Sequence, residues 1–499
     1  MNRLKKDDKE LLDRIDEWFE AHRDELLADI KRIARIPSVS KPAKPDAHAE
    51  EGPFGAECRR AMDEMLAIGR EHGFFTENRE YYVGTIGPED KHYENMIGFW
   101  NHLDVVPVGE GWSRPPFEPY IKDGFLIGRG VQDNKGPAVG MIYLMQCIRE
   151  LGIKLKHELC LFVGCDEERG MEDIEYYTAG YQTPALSMIA DSGFPVCYGE
   201  KGIVEGQFIA QKKFEHPLKS VSGGSASNMI PDRAYAYLDY SAELANKLEL
   251  LAEKRRSRQP GCPAITVINR DDTIEVVAEG TSRHSAFPKG SVNAIHVLAD
   301  FLAEAEELGS GNTGLFGQMS AVSSEYYGKT EGIDFSDEVS GDTTCAATVL
   351  SVEDGRMCIN LNIRYAITQD SQVLTERLES YAREHGLLWR LERDSRPNYF
   401  PKEHPAVNYL TELYNEWQGL ETHAFVMGGG TYARKLPDAF AYGIGGMPKT
   451  EDDKERENRL FAPGCGGAHE PDEGLNLRMY FEAMKFYTLA VVGLDKLDF

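Results

Sequence analysis

The spacing of apolar residues predicts that helices and short buried strands alternate in the first part of the chain. Apolar residues recur at helical spacing over residues 9–35, which predicts one long amphipathic helix that ends before Pro37. Short strands separated by helices are typical of a mainly parallel sheet with helices on both faces. We predict strands at residues 95–100, 158–163 and 186–190, and helices at residues 57–72, 138–151 and 173–179.

The pattern changes after about residue 201, where longer runs alternate apolar and polar positions. Alternation with a period of two is typical of an antiparallel sheet that buries one face. We predict strands at residues 203–210, 273–278, 345–351 and 357–365, and helices at residues 242–254, 291–308 and 371–385. From about residue 397, helices again alternate with short apolar strands. We predict a helix at 406–417, a strand at 423–426 and a last helix at 476–494.

These patterns predict an α/β protein with two domains. Residues 1–200 together with 396–499 are expected to form one domain, which has a mixed, mainly parallel sheet flanked by helices. Residues 201–395 are expected to form an inserted α+β domain with an antiparallel sheet. A chain of 499 residues is too long for a single hydrophobic core, which agrees with this division.

The composition of the chain excludes some classes of binding partner and predicts the cellular compartment. The net charge of −27 disfavours nucleic acid and anionic membranes as partners and is compatible with divalent cations. Nine cysteines without a C-x-x-C pair predict reduced thiols. The amino terminus resembles no signal peptide, and no apolar run approaches the roughly 20 residues that span a bilayer. We therefore expect a cytoplasmic protein that binds neither nucleic acid nor membranes.

Polar residues that can bind a metal follow several of the predicted strands. His102 and Asp104 lie in the run N-H-L-D-V-V-P, directly after the strand predicted at 95–100. Side chains two apart on a strand face the same way, so the carboxylate can hold one ring nitrogen while the other binds a metal. Taken alone, this pair more often marks a structural histidine.

Further candidates occupy comparable positions, at strand ends or in glycine-rich loops. Asp133 precedes a predicted helix, so by itself it is more simply explained as a helix N-cap. The acidic run D-E-E leaves an apolar strand between glycines, which favours the mouth of a site over an outer surface. The candidates are Asp133, Asp166, Glu167, Glu168, Asp191 and His469.

The order of these motifs resembles a family of dinuclear-zinc metallopeptidases. That family includes aminoacylases, glutamate carboxypeptidases, desuccinylases and the bacterial dipeptidase V type, and the resemblance covers nearly the whole chain. The dipeptidase V type is most similar, through the runs H-L-D-V-V-P-V-G-E-G-W at 102–112, S-N-M-I-P-D at 227–232 and G-G-G-T-Y-A-R at 428–434.

The resemblance implies two Zn²⁺ ions per chain, for which Mn²⁺ or Co²⁺ are possible substitutes. One ion would be held by His102 and Asp191, and the other by Glu168 and His469. Asp133 would bridge both ions. Asp104 would orient His102, and Glu167 would be the general base.

The resemblance also assigns the inserted domain to substrate recognition, as a lid. His284 would stabilise the oxyanion, and Arg364 would bind the substrate carboxylate. Without the resemblance, His284 would be read as an exposed turn histidine and Arg364 as part of a surface salt bridge. The residues Asn228, Gly429, Gly430 and Thr431 would line the same cleft. Two neighbours depart from the family pattern: Asn101 replaces a common glycine, and Cys165 a usual threonine.

We therefore expect a monomeric metallodipeptidase that cleaves dipeptides with free amino and carboxyl ends. One alternative within the family is deacylation of an N-acyl amino acid, such as desuccinylation, because the same metals and base serve both reactions. A second alternative is a peptide-binding protein that has lost catalysis. The presence of Glu167 and of five candidate metal ligands argues against the second alternative.

Overall fold

A computed structural model of the protein describes residues 4–42, 51–258 and 261–498. The chain divides into two compact units. The first unit comprises Met1–Gly199, Tyr399–Phe425 and Gly430–Phe499, and the second comprises Glu200–Asn398 and Val426–Gly429.

The described residues form helices in both units. They are α1 (Lys6–Ala21), α2 (Arg23–Ala34), α3 (Ala56–Glu71), α4 (Lys135–Glu150), α5 (Glu172–Gly180), α6 (Ala242–Arg258), α7 (Ala294–Ala303), α8 (Gly309–Ser323), α9 (Ser371–Glu384), α10 (Pro405–Gln418), α11 (Glu451–Leu460) and α12 (Leu477–Leu494). Short 3₁₀ helices cover Tyr93–Asn95, Glu306–Leu308 and Tyr432–Lys435.

The strands follow the same order along the chain. They are β1 (Phe75–Arg79), β2 (Val83–Gly87), β3 (Met96–His102), β4 (Tyr120–Lys122), β5 (Phe125–Ile127), β6 (Glu158–Gly164), β7 (Leu186–Ile189), β8 (Ser192–Gly193), β9 (Val196–Glu200), β10 (Gly202–Ala210), β11 (Leu218–Gly223), β12 (Met229–Ile230), β13 (Arg233–Asp239), β14 (Ile265–Asn269), β15 (Thr273–Glu279), β16 (Arg283–His284), β17 (Ser336–Asp337), β18 (Gly341–Asp342), β19 (Thr344–Glu353), β20 (Arg356–Tyr365), β21 (Leu387–Ser395), β22 (Asn398–Tyr399), β23 (Phe425–Met427), β24 (Ala439–Tyr442), β25 (Ile444–Gly445) and β26 (Gly474–Asn476).

The first unit is built on a mixed sheet with the order β1-β2-β6-β3-β7-β24-β9-β22. Its four central strands, β6, β3, β7 and β24, run parallel, and β1 and β2 add antiparallel partners at one edge. All seven residues of β3 are buried, as expected for a parallel strand covered on both faces. Helix α4 is buried along nearly its whole length and contacts β3 and β6.

The second unit is built on an antiparallel sheet with the order β14-β15-β13-β11-β19-β20-β10-β21. Strands β13 and β15 bury every second residue, as the sequence alternation predicts. The buried face shares one hydrophobic core with apolar residues of α6, α7, α8 and α9. The predicted fold class is therefore confirmed in both units.

Two helix predictions are wrong in detail. The helix predicted at 9–35 is two helices, α1 and α2, separated at His22. The ring Nδ1 of His22 lies 2.8 Å from the carbonyl oxygen of Trp18, and its ring stacks on the indole. A side chain that bonds a carbonyl of the preceding turn is a recognised cause of a helix break.

The helix predicted at 291–308 ends at Ala303, and α8 follows where no helix was predicted. Helix α8 reads G-S-G-N-T-G-L-F-G-Q-M-S-A-V-S, and glycine at such density lowers intrinsic helix propensity. Burial of Leu315, Phe316 and Met319 in the core of the second unit overrides that preference.

No helix among residues 4–42, 51–258 and 261–498 is both long and apolar enough to cross a membrane.

Candidate metal centre

The parallel strands of the first unit bring the candidate residues to one edge of its sheet. His102 ends β3 and lies opposite Gly164, the last residue of the neighbouring β6. Glu167 and Glu168 follow β6 after a short turn, and Asp191 follows β7. Because parallel strands point the same way, their carboxyl ends meet at one edge, which is where open α/β sheets place their sites.

Two groups of three side chains share Asp133. In the first group, His102 Nε2 lies 3.0 Å from Asp133 Oδ1 and 3.7 Å from Asp191 Oδ2. In the second group, His469 Nε2 lies 3.0 Å from Asp133 Oδ2 and 3.1 Å from Glu168 Oε1. Each group has the spacing needed to hold a metal ion, and the two carboxylate oxygens of Asp133 face different groups.

Asp104 lies beside the other ring nitrogen of His102. The Nδ1 atom is 3.0 Å from the main-chain oxygen of Asp104 and 3.4 Å from its Oδ1. The carboxylate also accepts hydrogen bonds from the backbone N–H groups of Glu167, at 3.2 Å, and Glu168, at 3.1 Å. Asp104 therefore contacts both the ring that it was expected to orient and the loop that carries the two glutamates.

Glu473 holds the Asp133 loop, and the sequence analysis did not identify it. Its Oε1 accepts hydrogen bonds from the backbone N–H groups of Gln132, at 2.9 Å, and Asp133, at 3.1 Å. Its Oε2 accepts from Gly130 N at 3.1 Å and from the buried Arg129 guanidinium at 2.9 Å. Its position four residues after the candidate His469 is a weak signal in the sequence, because acidic residues are common there.

Asp133 does not cap the helix that follows it. The N-cap residue of α4 is Asn134, and its side chain makes no capping hydrogen bond. Its Nδ2 instead donates to Asp191 Oδ1 at 3.0 Å and to the carbonyl oxygen of Ala190 at 2.9 Å. Asn134 thus links the Asp133 loop to the end of β7, a role that the sequence analysis also missed.

The first acid of the D-E-E run, Asp166, has a structural role and is not a candidate metal ligand. Asp166 is buried and accepts hydrogen bonds from Ser40 Oγ at 2.6 Å, Arg169 Nε at 3.0 Å and Glu172 N at 3.1 Å. It belongs to neither candidate metal group. The other two acids of the run, Glu167 and Glu168, face the centre.

Asp173 holds the loop that carries the D-E-E run through hydrogen bonds to its backbone. The sequence analysis did not identify this residue either. Its Oδ2 accepts hydrogen bonds from Cys165 N at 2.8 Å and Asp166 N at 2.9 Å. The buried hydroxyl of Tyr432 donates to the same oxygen. These bonds fix the backbone just before Glu167.

One carboxylate oxygen of Glu167, Oε1, is buried at this centre without a hydrogen-bond partner among the described residues. Burial raises the pKa of Glu167 well above its ordinary value, and the charges of Asp191, Glu168 and Asp104 raise it further. A carboxyl group with a raised pKa is suited to accept and return a proton near neutral pH.

The other groups of the centre influence one another strongly. Burial raises the pKa of Asp191 to about 7, with Asp133 adding to the shift. Hydrogen bonds that the His469 ring donates to Asp133 and Glu168 raise its pKa to about 11. Burial lowers the pKa of His102, but Asp104 and Asp133 outweigh it and hold the pKa well above the ordinary value. Hydrogen bonds from both histidines overcome burial and lower the pKa of Asp133.

The donor set fits a pair of divalent cations. Each of the two groups offers two carboxylate oxygens and one ring nitrogen, with Asp133 counted in both. Oxygen ligands with one imidazole in each group suit Zn²⁺ and are compatible with Mn²⁺ or Co²⁺. The converging carboxylates are those of Asp104, Asp133, Glu167, Glu168 and Asp191.

In the second unit, a separate two-stranded antiparallel sheet of β12 and β16 brings His284 beside the segment of Asn228. Met229 of β12 pairs with His284 of β16, and Ser285 N donates to the carbonyl oxygen of Asn228 at 2.8 Å. Ala286 N donates to His284 Nδ1 at 3.1 Å. In a neutral ring, the proton is therefore on Nε2, which can donate a hydrogen bond.

Arg364 is anchored inside the second unit and is 6% exposed. Its Nε donates to Asn362 Oδ1 at 2.8 Å, and one terminal nitrogen donates to the carbonyl oxygen of Gly428 at 3.2 Å. These contacts differ from a surface salt bridge. The glycine loop crosses the division of the chain, because Gly429 belongs to the second unit and Gly430 with Thr431 to the first.

Comparison with known sequences identifies the family. Residues 98–492 match the peptidase family M20/M25/M40. The chain belongs to this family. It is therefore a hydrolase that acts on peptide bonds.

The most similar sequences include bacterial relatives that match over nearly their whole length. The chain is 28% identical over 484 residues to a Bacillus subtilis (strain 168) protein named "Putative dipeptidase YtjP", which covers 95% of this chain and 98% of the relative. It is 27% identical over 487 residues to a "Putative dipeptidase" of Staphylococcus epidermidis, covering 95% and 97%.

Solved structures share the fold at low sequence identity. Human carnosine dipeptidase 1 aligns with a TM-score of 0.56 at 14% identity, covering 98% of this chain and 99% of that one. The dipeptidase Dug1p from Saccharomyces cerevisiae aligns with a TM-score of 0.54 at 13% identity, covering 98% and 99%. These likenesses agree with the mixed α/β fold described above.

In this M20/M25/M40 family peptidase, both departures from the family pattern are buried beside the centre. The amide of Asn101 donates to Asn134 Oδ1, so it extends the link from β3 to the Asp133 loop. Cys165 packs against Cys58, and its thiol lies 3.5 Å from the Cys58 carbonyl oxygen. Neither side chain belongs to the two metal groups.

Proposed function

We propose that the enzyme hydrolyses dipeptides with free amino and carboxyl ends, with two Zn²⁺ ions bound at the centre of the first unit. The observation that carries the proposal is the pair of three-residue groups that share Asp133, with the buried, unpartnered Oε1 atom of Glu167 nearby. The relatives named as dipeptidases match the chain over almost its full length and support the substrate class.

Each metal would have its own ligands in addition to the shared carboxylate. His102 and Asp191 would hold one ion, and Glu168 and His469 would hold the other, with Asp133 between them. When bound, two such ions lower the pKa of a water molecule and polarise the carbonyl group of the scissile bond. Asp104 keeps His102 oriented through Nδ1, which leaves Nε2 for binding.

Glu167 acts as the general base. Its carboxylate accepts a proton from the attacking water and returns it to the leaving amine. Burial and neighbouring acids raise its pKa, which favours the protonated form that the second transfer needs. The backbone N–H groups of Glu167 and Glu168 donate hydrogen bonds to the Asp104 carboxylate, and these bonds hold the base in place.

Residues of the second unit would bind the rest of the substrate. Arg364 would bind the substrate carboxylate, since hydrogen bonds to Asn362 and to the carbonyl oxygen of Gly428 hold its guanidinium in position. His284 would donate from Nε2 to the developing oxyanion. Asn228, Gly429, Gly430 and Thr431 would line the substrate cleft.

We also propose that the enzyme acts in the cytoplasm as a monomer. All nine cysteines are free thiols, and seven of them are buried. Thiols persist in reducing compartments, which supports the cytoplasmic assignment. The high negative charge disfavours association with nucleic acid or anionic lipid.

The decisive experiment compares Glu167→Gln with the wild type after loading with Zn²⁺ or Mn²⁺. We expect kcat for an alanyl dipeptide to fall by about 10²- to 10⁴-fold, because the variant has no proton acceptor. Metal content, measured by atomic spectroscopy, is expected to stay at two per chain. Glu172→Gln is the matched control, because Glu172 is exposed on α5 and lies outside the centre.

A panel of substrates separates the proposal from its alternatives. Free dipeptides are expected to be cleaved far faster than N-acetyl or N-succinyl amino acids. Faster cleavage of the acylated compounds would establish a deacylase instead. Peptide binding without turnover in the metal-loaded wild type would indicate a binding protein, and normal activity of Glu167→Gln would remove Glu167 as the base.

A further inference from the structure

A cavity in the first unit adjoins the candidate metal centre, and the mechanism does not use it. It encloses about 360 Å³ and includes Asp133 and Asp191 in its wall. Its remaining walls come from β5, β8, the start of α4, the segment from β25 to α11, the loop at residues 466–468, β26 and the start of α12. A volume of this size lies within the range of small-ligand sites.

The wall away from the carboxylates is largely apolar. Its apolar side chains come from four separate segments of the first unit, so the cavity is a built feature of the tertiary structure. Glycines at 446 and 466, with φ of 75° and 96°, bring bare backbone to the wall. The apolar lining side chains are Phe125, Pro137, Ile444, Leu475, Met479 and Tyr480.

The charges of the cavity wall favour binding of the amino-terminal residue of a dipeptide over its carboxyl end. Lys449 is the only basic side chain among the lining residues that the structure describes, and its ammonium group lies 2.7 Å from Glu457 Oε1. That lysine is therefore neutralised, while the metals would take up the charges of Asp133 and Asp191. The wall offers no free cation to a substrate carboxylate, so the carboxyl end of a dipeptide is not accommodated there.

We propose that this cavity binds an apolar side chain of the amino-terminal residue of the dipeptide, and that Met479 limits its size. The inference rests on the proposed dipeptidase function and adds the substrate preference. Asp133 and Asp191 belong both to the wall of the cavity and to the His102 group, so the cavity adjoins the place where the scissile carbonyl group would bind. An apolar side chain gains from leaving water for this wall, and a charged one does not.

The test measures kcat/KM for two matched series of dipeptides with the metal-loaded enzyme. The first series varies the amino-terminal residue: Gly-Ala, Ala-Ala, Leu-Ala and Phe-Ala. The second varies the carboxy-terminal residue: Ala-Gly, Ala-Leu and Ala-Phe. We expect kcat/KM to rise by about 10-fold or more from Gly-Ala to Leu-Ala, in line with the selectivity of apolar pockets per methylene group.

Two variants change the space beside Met479, which lines the cavity. Met479→Trp adds bulk to the wall and is expected to lower kcat/KM for Leu-Ala and Phe-Ala by about 10-fold or more relative to kcat/KM for Gly-Ala. Met479→Ala enlarges the cavity and is expected to shift the preference towards Phe-Ala, which keeps the test available if the tryptophan variant does not fold. Leu420→Trp is the matched control, because Leu420 is 38% exposed and outside the cavity.

The outcomes separate the cavity from the proposed function. If the wild type cleaves dipeptides but both Met479 variants change all substrates equally, the cavity is not the side-chain site. A selective effect on the Ala-Leu and Ala-Phe series would place the carboxy-terminal residue there and overturn the inference. If the metal-loaded wild type cleaves no dipeptide, the proposed function fails and the inference falls with it.

Discussion

The two halves of the candidate metal centre are built in different ways. The His102 group lies on the end of a buried strand, and the His102 side chain is 1% exposed. The His469 group depends on a loop rich in glycine, and the His469 side chain is 48% exposed. His469 also has a φ of 65°, a left-handed conformation that residues other than glycine seldom adopt.

The contacts of the two rings differ accordingly. His102 is held at both nitrogens, by Asp104 on one side and by Asp133 on the other. The His469 ring contacts Asp133 and Glu168 through Nε2, and both partners are candidate ligands. A histidine fixed by a group outside the metal site is already oriented for binding, whereas a loop histidine is ordered in part by the metal itself.

The largest expected effect comes from removing each histidine in turn. We expect His102→Ala to bind no metal after dialysis and His469→Ala to retain about one ion per chain. Both variants are expected to lose more than about 100-fold in kcat/KM, beyond the ~10–100-fold typical of changes behind the ligands. Metal analysis of the dialysed proteins checks the difference.

His385→Ala controls for the loss of a histidine outside the centre, since His385 lies in the second unit at the end of α9. Equal metal content in His102→Ala and His469→Ala would contradict the distinction between a strand-borne and a loop-borne group. So would retention of one ion by His102→Ala alone.

A smaller effect is expected from the ion pair that supports both halves. Glu473 holds the Asp133 loop, and its partner Arg129 also donates to the carbonyl oxygen of His469 at 3.4 Å. Glu473→Gln leaves the Arg129 charge buried without its partner, so we expect the free energy of unfolding to fall by about 3 kcal/mol. Urea unfolding of the metal-free protein measures this change.

The double variant Arg129→Met, Glu473→Gln provides the check on this reasoning. It removes both charges, so it is expected to lose less stability than the sum of the two single variants. Additive losses would show that the pair contributes through packing and not through charge.

The smallest effect is a pH dependence of metal affinity. In the metal-free protein, Asp133 and Glu168 raise the pKa of His469 to about 11, so the ring is protonated throughout the neutral range. Metal binding at the His469 group displaces that proton, so the affinity of this group is expected to rise by at least about tenfold per pH unit between pH 7 and 9. At the His102 group, the ring also has a raised pKa and burial raises the pKa of Asp191 to about 7, so protons compete with the metal there too.

Calorimetric titration in two buffers with different ionisation enthalpies counts the released protons. His469→Ala is expected to release about one proton fewer than the wild type, which assigns that proton to the loop half. Affinity that stays constant from pH 6 to pH 8 would contradict the raised pKa of both groups.

Much of the fold follows from local patterns in the sequence. The strands β3, β6 and β7 lie within two residues of their predicted positions, because buried parallel strands are continuous apolar runs. The break at His22 and the glycine-rich α8 were missed, because each depends on contacts that local preference does not contain. Tertiary packing overrides propensity at both places.

The residues of the candidate site also fall into those that the sequence predicted and those that it did not. The side chains expected at the centre are brought together there, since each directly follows a strand or a glycine-rich turn. Asn134, Asp173 and Glu473 were not anticipated. Each acts through hydrogen bonds to backbone or to a residue far along the chain, and such partners leave no fixed spacing in the sequence.

The sequence by itself determined the class of fold, the order of candidate ligands and the family that they resemble. Periodicity and residue type are local properties, so they can be read from the sequence without knowledge of tertiary contacts. Only the tertiary structure decided that Asp133 faces both histidines, that Asp166 lies outside the two metal groups, and that a cavity adjoins Asp191. Those facts depend on distances between segments up to hundreds of residues apart, which only the packed chain defines.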